Sequence, residues 1–505
     1  MNAQAAYDEL IRRSRELSTL ASCSSLLGWD EQTYMPVGGS EHRAGQLALL
    51  AGLHHEHATD PKIGGLLAEV EGSGLFADPI SVPAVNVREL RRSYNRLTRL
   101  PRTLVEELAR STSRGHQEWV TARHERDFSR LKPSLDIIFS LKRNEAECLG
   151  YQDTAYDALI DEYEPGAKSR DLAVLFASLR TELVPLVAGI ADSKSKPKPN
   201  RTILNREYVV ERQKVFGEAV AAAVGFDFQR GRLDTTEHPF CSGIGPGDTR
   251  ITTRYDPDNF AEAFFGILHE VGHGLYDQGL DPVHHGTPMG EAVSLGIHES
   301  QSRMWENVVG RSRPFWAYWF PIARQIFREA LTNVTPETFY AAINVVEPSL
   351  IRVQADEVTY NLHIMIRFEL EAALLKGDLA VADLPSAWEE KYKHYLGVVP
   401  KHHAEGCLQD IHWSAGLIGY FPTYSLGNMY AAQLFNKAES DLGGLASPFS
   451  KGDFAGLLEW LRVNVHCQGQ RFRAADLARK VTGSPPDHRP LVRMLKAKYG
   501  ELYGI

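Results

Sequence analysis

The chain is expected to be mainly α-helical, a multi-helix protein with one small β-hairpin. Three observations lead there. Apolar residues recur at three- and four-residue spacing through most of the 505 residues. The period changes to two in one region only, from about residue 233 to 255. The composition, 43% hydrophobic and 24% charged, is that of a packed globular protein and not of a disordered one. A rule of about 150 residues per domain suggests about three domains. The unbroken helical pattern, without internal repeats, favours a single helical unit over residues 1–505, with two lobes if 192–200 is a seam.

Charge and cysteine usage exclude several classes of protein. With 55 basic and 64 acidic residues the net charge is −9, which argues against a nucleic-acid partner. No apolar run approaches the eighteen or so residues of a membrane span, so no membrane partner is expected. The N-terminal MNAQAAYDELIRRSRELSTL spaces its charges as a helix does and has no signal core. Five scattered cysteines form no C-x-x-C pair, so inert thiols and a cytoplasmic setting are the default.

Taken in order, residues 4–28 form an amphipathic helix with Leu10, Ile11, Leu17, Leu20 and Leu27 towards the core, followed by a turn over 29–36. Ser40 is placed to cap a helix over 41–57, whose His54, His55 and His57 read as a solvated helix end. Residues 62–190 continue as helices. They carry a stripe of Arg88, Arg91, Arg92, Arg96, Arg99 and Arg102, either a solvated face or an attractor of anions. The stretch DSKSKPKPN at 192–200 is a surface loop and the candidate seam. Helix resumes over 207–224. Residues 235–241 and 248–255 then read as two strands around the glycine-rich turn 242–247. Helices follow over 264–279 and 291–309 and to the end, broken at Pro314, Pro321, Pro336, Pro385, Pro422 and Pro485-Pro486.

The chemistry centres on His269-Glu270-Val271-Gly272-His273. Helical residues four apart lie about 40° apart around the axis, so both imidazoles project from one face. That spacing suits two nitrogen ligands to one zinc ion, with Glu270 beside them as a proton acceptor. Apolar flanks (Phe264, Phe265, Ile267, Leu268, Leu275) mark a buried helix. Gly272 and Gly274 suggest close approach of another backbone. A catalytic zinc needs a third protein ligand and an open fourth place. Glu299 follows His273 by 26 residues, on the next helix, and an antiparallel return would bring it over the motif. Spacing alone leaves His284, His285 and His298 as rivals.

His238-Pro239-Phe240, Asp248-Thr249-Arg250-Ile251-Thr252 and the His269–His273 motif are followed by His298-Glu299-Ser300-Gln301, Ile351-Arg352-Val353-Gln354-Ala355-Asp356 and Gly406-Cys407-Leu408-Gln409-Asp410-Ile411-His412-Trp413. These six motifs, over about 175 residues, stand in the order of the carboxypeptidase Taq family of zinc metallopeptidases, which the chain resembles. The resemblance implies a helical metallopeptidase with a long substrate groove, zinc at its floor, and a homodimer. It also implies removal of single residues from peptide C-termini with broad side-chain tolerance and poor acceptance of proline.

On that reading His269, His273 and Glu299 hold one zinc ion per subunit, with cobalt or manganese as substitutes the sequence does not distinguish. Glu270 takes the proton of an attacking water and returns it to the leaving amine. The oxyanion needs another donor, from His412 or the cluster Tyr420-Phe421-Pro422-Thr423-Tyr424; the resemblance favours His412 and Tyr424, with Tyr420 close behind and a plain core role as the rival. Arg352 and Arg250 are candidates for the substrate carboxylate because a guanidinium fork matches it, and His238 is a third. Each also has a structural alternative, such as Arg352 paired with Asp356 four residues on. A dipeptidyl carboxypeptidase or an oligo-endopeptidase would use the same centre. An aminopeptidase would need an acidic anchor, which Met289-Gly290-Glu291 resembles only faintly. A non-catalytic zinc-bearing scaffold that binds peptides is the alternative outside enzymes.

Overall fold

The computed structural model describes residues 2–193 and 199–505; residues 194–198 of the expected seam lie outside the described residues. Cα packing divides the chain into two units. Unit 1 comprises Met1–Thr98, Asn200–Ile343 and Leu434–Gly483; unit 2 comprises Arg99–Pro199, Asn344–Gln433 and Ser484–Ile505. Helices dominate both, and the described residues contain one three-stranded sheet.

In unit 1 the helix Phe260–Gly279 carries the H-E-x-x-H motif and is buried on almost every side. Asn259 caps it, its side chain accepting from the Glu262 amide. Phe260 and Phe264, one turn apart, stack at 5.1 Å and enter an aromatic cluster with Phe216, Phe327 and Trp316. Burying rings of this size is the main apolar contribution holding the helix in place. At Gly272 a Cβ atom would stand 2.5 Å from the Gln301 carbonyl oxygen, so the glycine admits the next helix's backbone, as expected. Gly274 differs: it admits the Phe226 ring and the Ile251 side chain rather than a backbone.

The expected hairpin is present, but with shifted bounds and inside a three-stranded sheet. Strands β1 (Gly231–Thr235), β2 (Cys241–Gly245) and β3 (Asp248–Thr253) lie in the order β1-β3-β2. β1 runs parallel to β3, and β2 antiparallel to it. The glycine-rich run is therefore a strand, not a turn; the turn is Pro246-Gly247, with Gly247 at φ +81°. The expected first strand is mostly the connection between β1 and β2. The Thr236 amide donates to Thr253 O, and Phe240 O accepts from the Thr252 amide, so the chain is pinned at both ends while His238 and Pro239 bow outward, exposed. Pro239 has no N–H to offer a ladder.

Other expectations shift at their ends. The first helix spans Ala3–Thr33, running through the expected turn. Of its five proposed core residues only Leu10 is fully buried. Ser40 begins the second helix, Ser40–Ala58, without capping it. The expected 291–309 helix starts at Leu295, because Ser294 caps it through the Ile297 amide, and after Arg303 widens into a π-helix, Met304–Val309. Pro321 lies inside the helix Arg313–Ile326 without ending it.

Unit 2 is built around the helix Tyr360–Lys376, also buried almost all round. His363, Arg367 and Glu371 form a polar stripe at four-residue spacing, all at 0% exposure. The helix Ser169–Asp192 is long and apolar enough by composition to cross a membrane; here Leu172, Phe176, Leu179 and Leu183 are buried within the unit. The arginine stripe is largely committed. Arg88 donates to Gln470 O, Arg91 pairs with Glu71, Arg99 donates to Leu149 O, and Arg102 pairs with Glu106.

Candidate metal centre

The motif helix and the helix Leu295–Arg303 cross where Gly272 permits it, which brings Glu299 over the two histidines. Glu299 Oε2 stands 3.5 Å from His273 Nε2 and 3.8 Å from His269 Nε2. Zinc bonds of about 2.0–2.2 Å in a tetrahedron imply donor separations of about 3.3–3.6 Å, so three donors fit one cation after small adjustment. Among the described residues these three are the group of His, Cys, Asp and Glu side chains that converges in this way; His284, His285 and His298 are not part of it.

Hydrogen bonds determine which nitrogen of each imidazole is available. Glu306 Oε2 lies 2.9 Å from His269 Nδ1, so Nδ1–H donates to the carboxylate and the Nε2 lone pair is left for a metal. His273 is supported differently. Asp277 Oδ1 accepts from His298 Nε2–H at 3.0 Å, which leaves His298 Nδ1 to accept from His273 Nδ1–H at 2.5 Å. His273 Nε2 is thereby freed as well. The Cys241 thiol touches the far oxygen of Asp277 at 3.7 Å, and burial first, then Asp277, pushes its pKa up, as suits an inert thiol. All five cysteines are unpaired.

The field around the three donors favours a cation. Burial opposes the charge of Glu299, but Arg303 and the two imidazoles overcome it and hold the carboxyl well below its ordinary value. Glu306 is likewise lowered, to about 2, by Arg303 and His269 against its burial. Burial lowers His273 to about 4, which leaves it neutral and ready to ligate. His269 is raised, since Glu299 and Glu306 outweigh its burial; the same negative charge attracts a dication in place of the proton. Glu270 is buried at 6% exposure, and burial pushes its pKa up to about 7, with Glu299 and Glu306 adding to the rise and His269 opposing it. A carboxyl poised there can both accept and return a proton near neutral pH.

The remaining sequence candidates fall into two groups. In unit 1, Arg250 is gripped at both ends of its fork by Asp248, at 2.9 Å each, with its guanidinium 4.1 Å over Trp29. His238 is exposed in the bow before β2. In unit 2, Arg352 donates through Nε to Asp410 at 2.8 Å and through Nη1 to Tyr360 at 3.1 Å. Its partner is thus Asp410, not Asp356, which instead accepts the Val358 and Thr359 amides at the start of the next helix. Arg367 donates to the other Asp410 oxygen at 2.6 Å. His412 Nε2 meets the Tyr424 hydroxyl at 3.2 Å, while its Nδ1 is buried without a partner. Burial, together with Arg352 and Arg367, lowers His412 to about 3, so it is neutral at ordinary pH. Tyr420 and Tyr424 are half-buried and their ring centres are 5.3 Å apart.

Sequence reasoning missed Arg303, Glu306, Arg367 and Glu371. Arg303 stands four residues after Glu299, a readable spacing. The polar stripe His363, Arg367, Glu371 in an apolar helix was also a signal, since buried polar groups demand partners. Glu306 was not readable, because it reaches His269 from a π turn.

A helical chain that offers two imidazoles and one carboxylate to a cation, with a proton-accepting carboxyl alongside, falls within the metallopeptidase class. A family model described as carboxypeptidase Taq (M32) metallopeptidase matches residues 9–499. The chain is 50% identical to thermostable carboxypeptidase 1 of Thermus thermophilus over all of both chains, and 36% identical to carboxypeptidase 1 of Bacillus subtilis over 98% of each. Its fold matches the crystal structure of the M32 carboxypeptidase of Deinococcus radiodurans R1 at a TM-score of 0.95 and 41% identity, covering 99% of this chain and 100% of that one. The chain belongs to the carboxypeptidase Taq (M32) family and is a metal-dependent carboxypeptidase.

Proposed function

We propose that the protein removes single amino acids from peptide C-termini with broad side-chain tolerance, using one zinc ion held by His269, His273 and Glu299. The observation that carries the reading is the convergence of those three donors beside a Glu270 whose pKa is pushed up to about 7. A divalent metal bound there supplies Lewis acidity to water and to the scissile carbonyl. Glu270 accepts the proton of the attacking water and delivers it to the departing amine. Arg352 is the first choice to hold the terminal carboxylate, because Asp410 and Tyr360 fix two of its guanidinium nitrogens and the Arg352–Arg367–Asp410 group keeps one positive charge in excess. Arg250 and His238 remain candidates for the same anion, although the fork of Arg250 is already engaged by Asp248. His412 and Tyr424, already in hydrogen-bond contact, are proposed as donors to the developing oxyanion.

Mass spectrometry of an N-blocked peptide tests the reading. Loss of one residue at a time from the C-terminus supports it. Loss in pairs, or internal cuts, would replace it with dipeptidyl carboxypeptidase or oligo-endopeptidase action. Binding without cleavage by the zinc-loaded protein would point to a peptide-binding scaffold.

A homodimer in the cytoplasm completes the proposal. Five free cysteines suit a reducing compartment. Exposed Leu26, Val37, Leu49 and Leu53 on the first two helices and their connection are candidates for the surface that a second copy covers. Sedimentation of the Leu49→Glu variant tests that surface: monomers are expected, and an unchanged dimer would exclude it.

A further inference from the structure

We propose that Arg303 is a positioning residue that keeps Glu299 a one-oxygen metal ligand, and so keeps a coordination place open. The inference rests on His269, His273 and Glu299 holding the metal. A carboxylate can meet a cation through one oxygen or both. With two imidazoles, one oxygen leaves a tetrahedral centre its fourth place for a reactant, whereas two would make the centre five-coordinate once that reactant is bound.

The two oxygens of Glu299 have separate tasks. Oε1 accepts from Arg303 Nε–H at 2.6 Å, a short charge-assisted bond. Oε2 is the oxygen nearest both imidazole nitrogens, and the Ser302 hydroxyl donates to it at 3.1 Å. Rotation of the carboxylate to present both oxygens would strain or break the Arg303 bond at a site where the two side chains are only 14% and 8% exposed.

Arg303 is itself held in place. Its Nη1 donates to Glu306 Oε2 at 3.2 Å, the same oxygen that accepts from His269 Nδ1. One guanidinium thus bridges a metal ligand and the carboxylate that orients another ligand. The backbone supplies both attachments. Glu299 and Arg303 are one helical turn apart, and the π turn that begins at Met304 carries Glu306 into reach. A plain helical ion pair on the surface would show neither the burial nor the second carboxylate.

The test uses the cobalt-loaded full-length protein, because four-coordinate cobalt(II) absorbs visible light several-fold more strongly than five-coordinate cobalt(II). Arg303→Met and Arg303→Lys are compared with the unaltered chain, with bound cobalt measured in each. The expected result is strong visible bands in the unaltered chain and in Arg303→Lys, whose ammonium can still donate to Oε1. Arg303→Met is expected to hold one cobalt with bands weakened several-fold. Full band intensity in Arg303→Met at one bound cobalt would overturn the proposal. Failure of the unaltered chain to bind one cobalt, or full cobalt binding by Glu299→Ala, would instead refute the underlying ligand set. Should Arg303→Met not fold, a crystal structure of the zinc-loaded unaltered chain decides. One Glu299 oxygen on the metal with the other on Arg303 is expected, and both oxygens on the metal would overturn the proposal.

Discussion

Two buried charge clusters, one in each unit, are built with opposite imbalance. Around His269 and His273, Glu270, Glu299 and Glu306 face Arg303, with Arg311 3.7 Å from Glu306, so acidic groups are in excess. Around Asp410, two guanidinium groups share one carboxylate, so positive charge is in excess. Burying an uncompensated charge is costly unless a partner arrives. The first cluster is suited to a cation and the second to an anion, which is the contrast the proposed function uses. The two clusters are thus distinguished by which sign of charge the fold leaves over.

The sharpest way to break that contrast is at Glu270. Glu270→Gln keeps the shape and removes the proton carrier, so turnover is expected to fall by about 10²–10⁴-fold with metal content unchanged. Turnover within a few-fold of the unaltered enzyme would remove Glu270 from the chemistry.

The second cluster is tested through stability. Asp410→Asn strands two buried guanidinium groups and is expected to cost about 3–5 kcal/mol in chemical denaturation. Burial opposes the charge of Asp410, but Arg352 and Arg367 hold its pKa well below the ordinary value. A depressed folded pKa means this stabilisation is complete above the unfolded value of about 3.9 and lost as pH falls towards the folded one. The gap between variant and parent should therefore be constant near neutrality and narrow in acid. A gap that widens in acid would show the sign of the cluster to be wrong. Asp248→Asn serves as a comparison, since that carboxylate is partly exposed and its pairing with Arg250 is worth about 0–1 kcal/mol.

Smaller effects should sharpen the metal side. Glu306→Gln and His298→Ala each remove support for one imidazole and are expected to weaken metal binding by about 10–100-fold in chelator competition. Asp277→Asn in the His298→Ala background should add little, because Asp277 acts on His273 through His298. Additive losses would show that Asp277 acts independently.

The same contrast explains what the sequence revealed. The three converging donors were legible because a four-residue spacing on one helix fixes two of them, and a short return brings the third. The mainly helical class was legible from periodicity. The parallel β1–β3 pair was not, because no local turn signal announces strands joined by a crossover. Nor was the partner of Arg352: Asp356 was near in sequence, while Asp410 arrives from 58 residues away. The π turn likewise has no periodic signature, so Glu306 stayed hidden although it touches His269. Where a site is written within one helix the chain declares it; where it is assembled from distant segments only the fold does.

Zinc content after exhaustive dialysis, compared between Glu299→Ala and Glu270→Gln, tests the central claim most directly. Retention of about one zinc per chain by Glu270→Gln and its loss by Glu299→Ala is the predicted result, as expected for three ligands with one open place. Equal retention in both, or loss from Glu270→Gln alone, would contradict it.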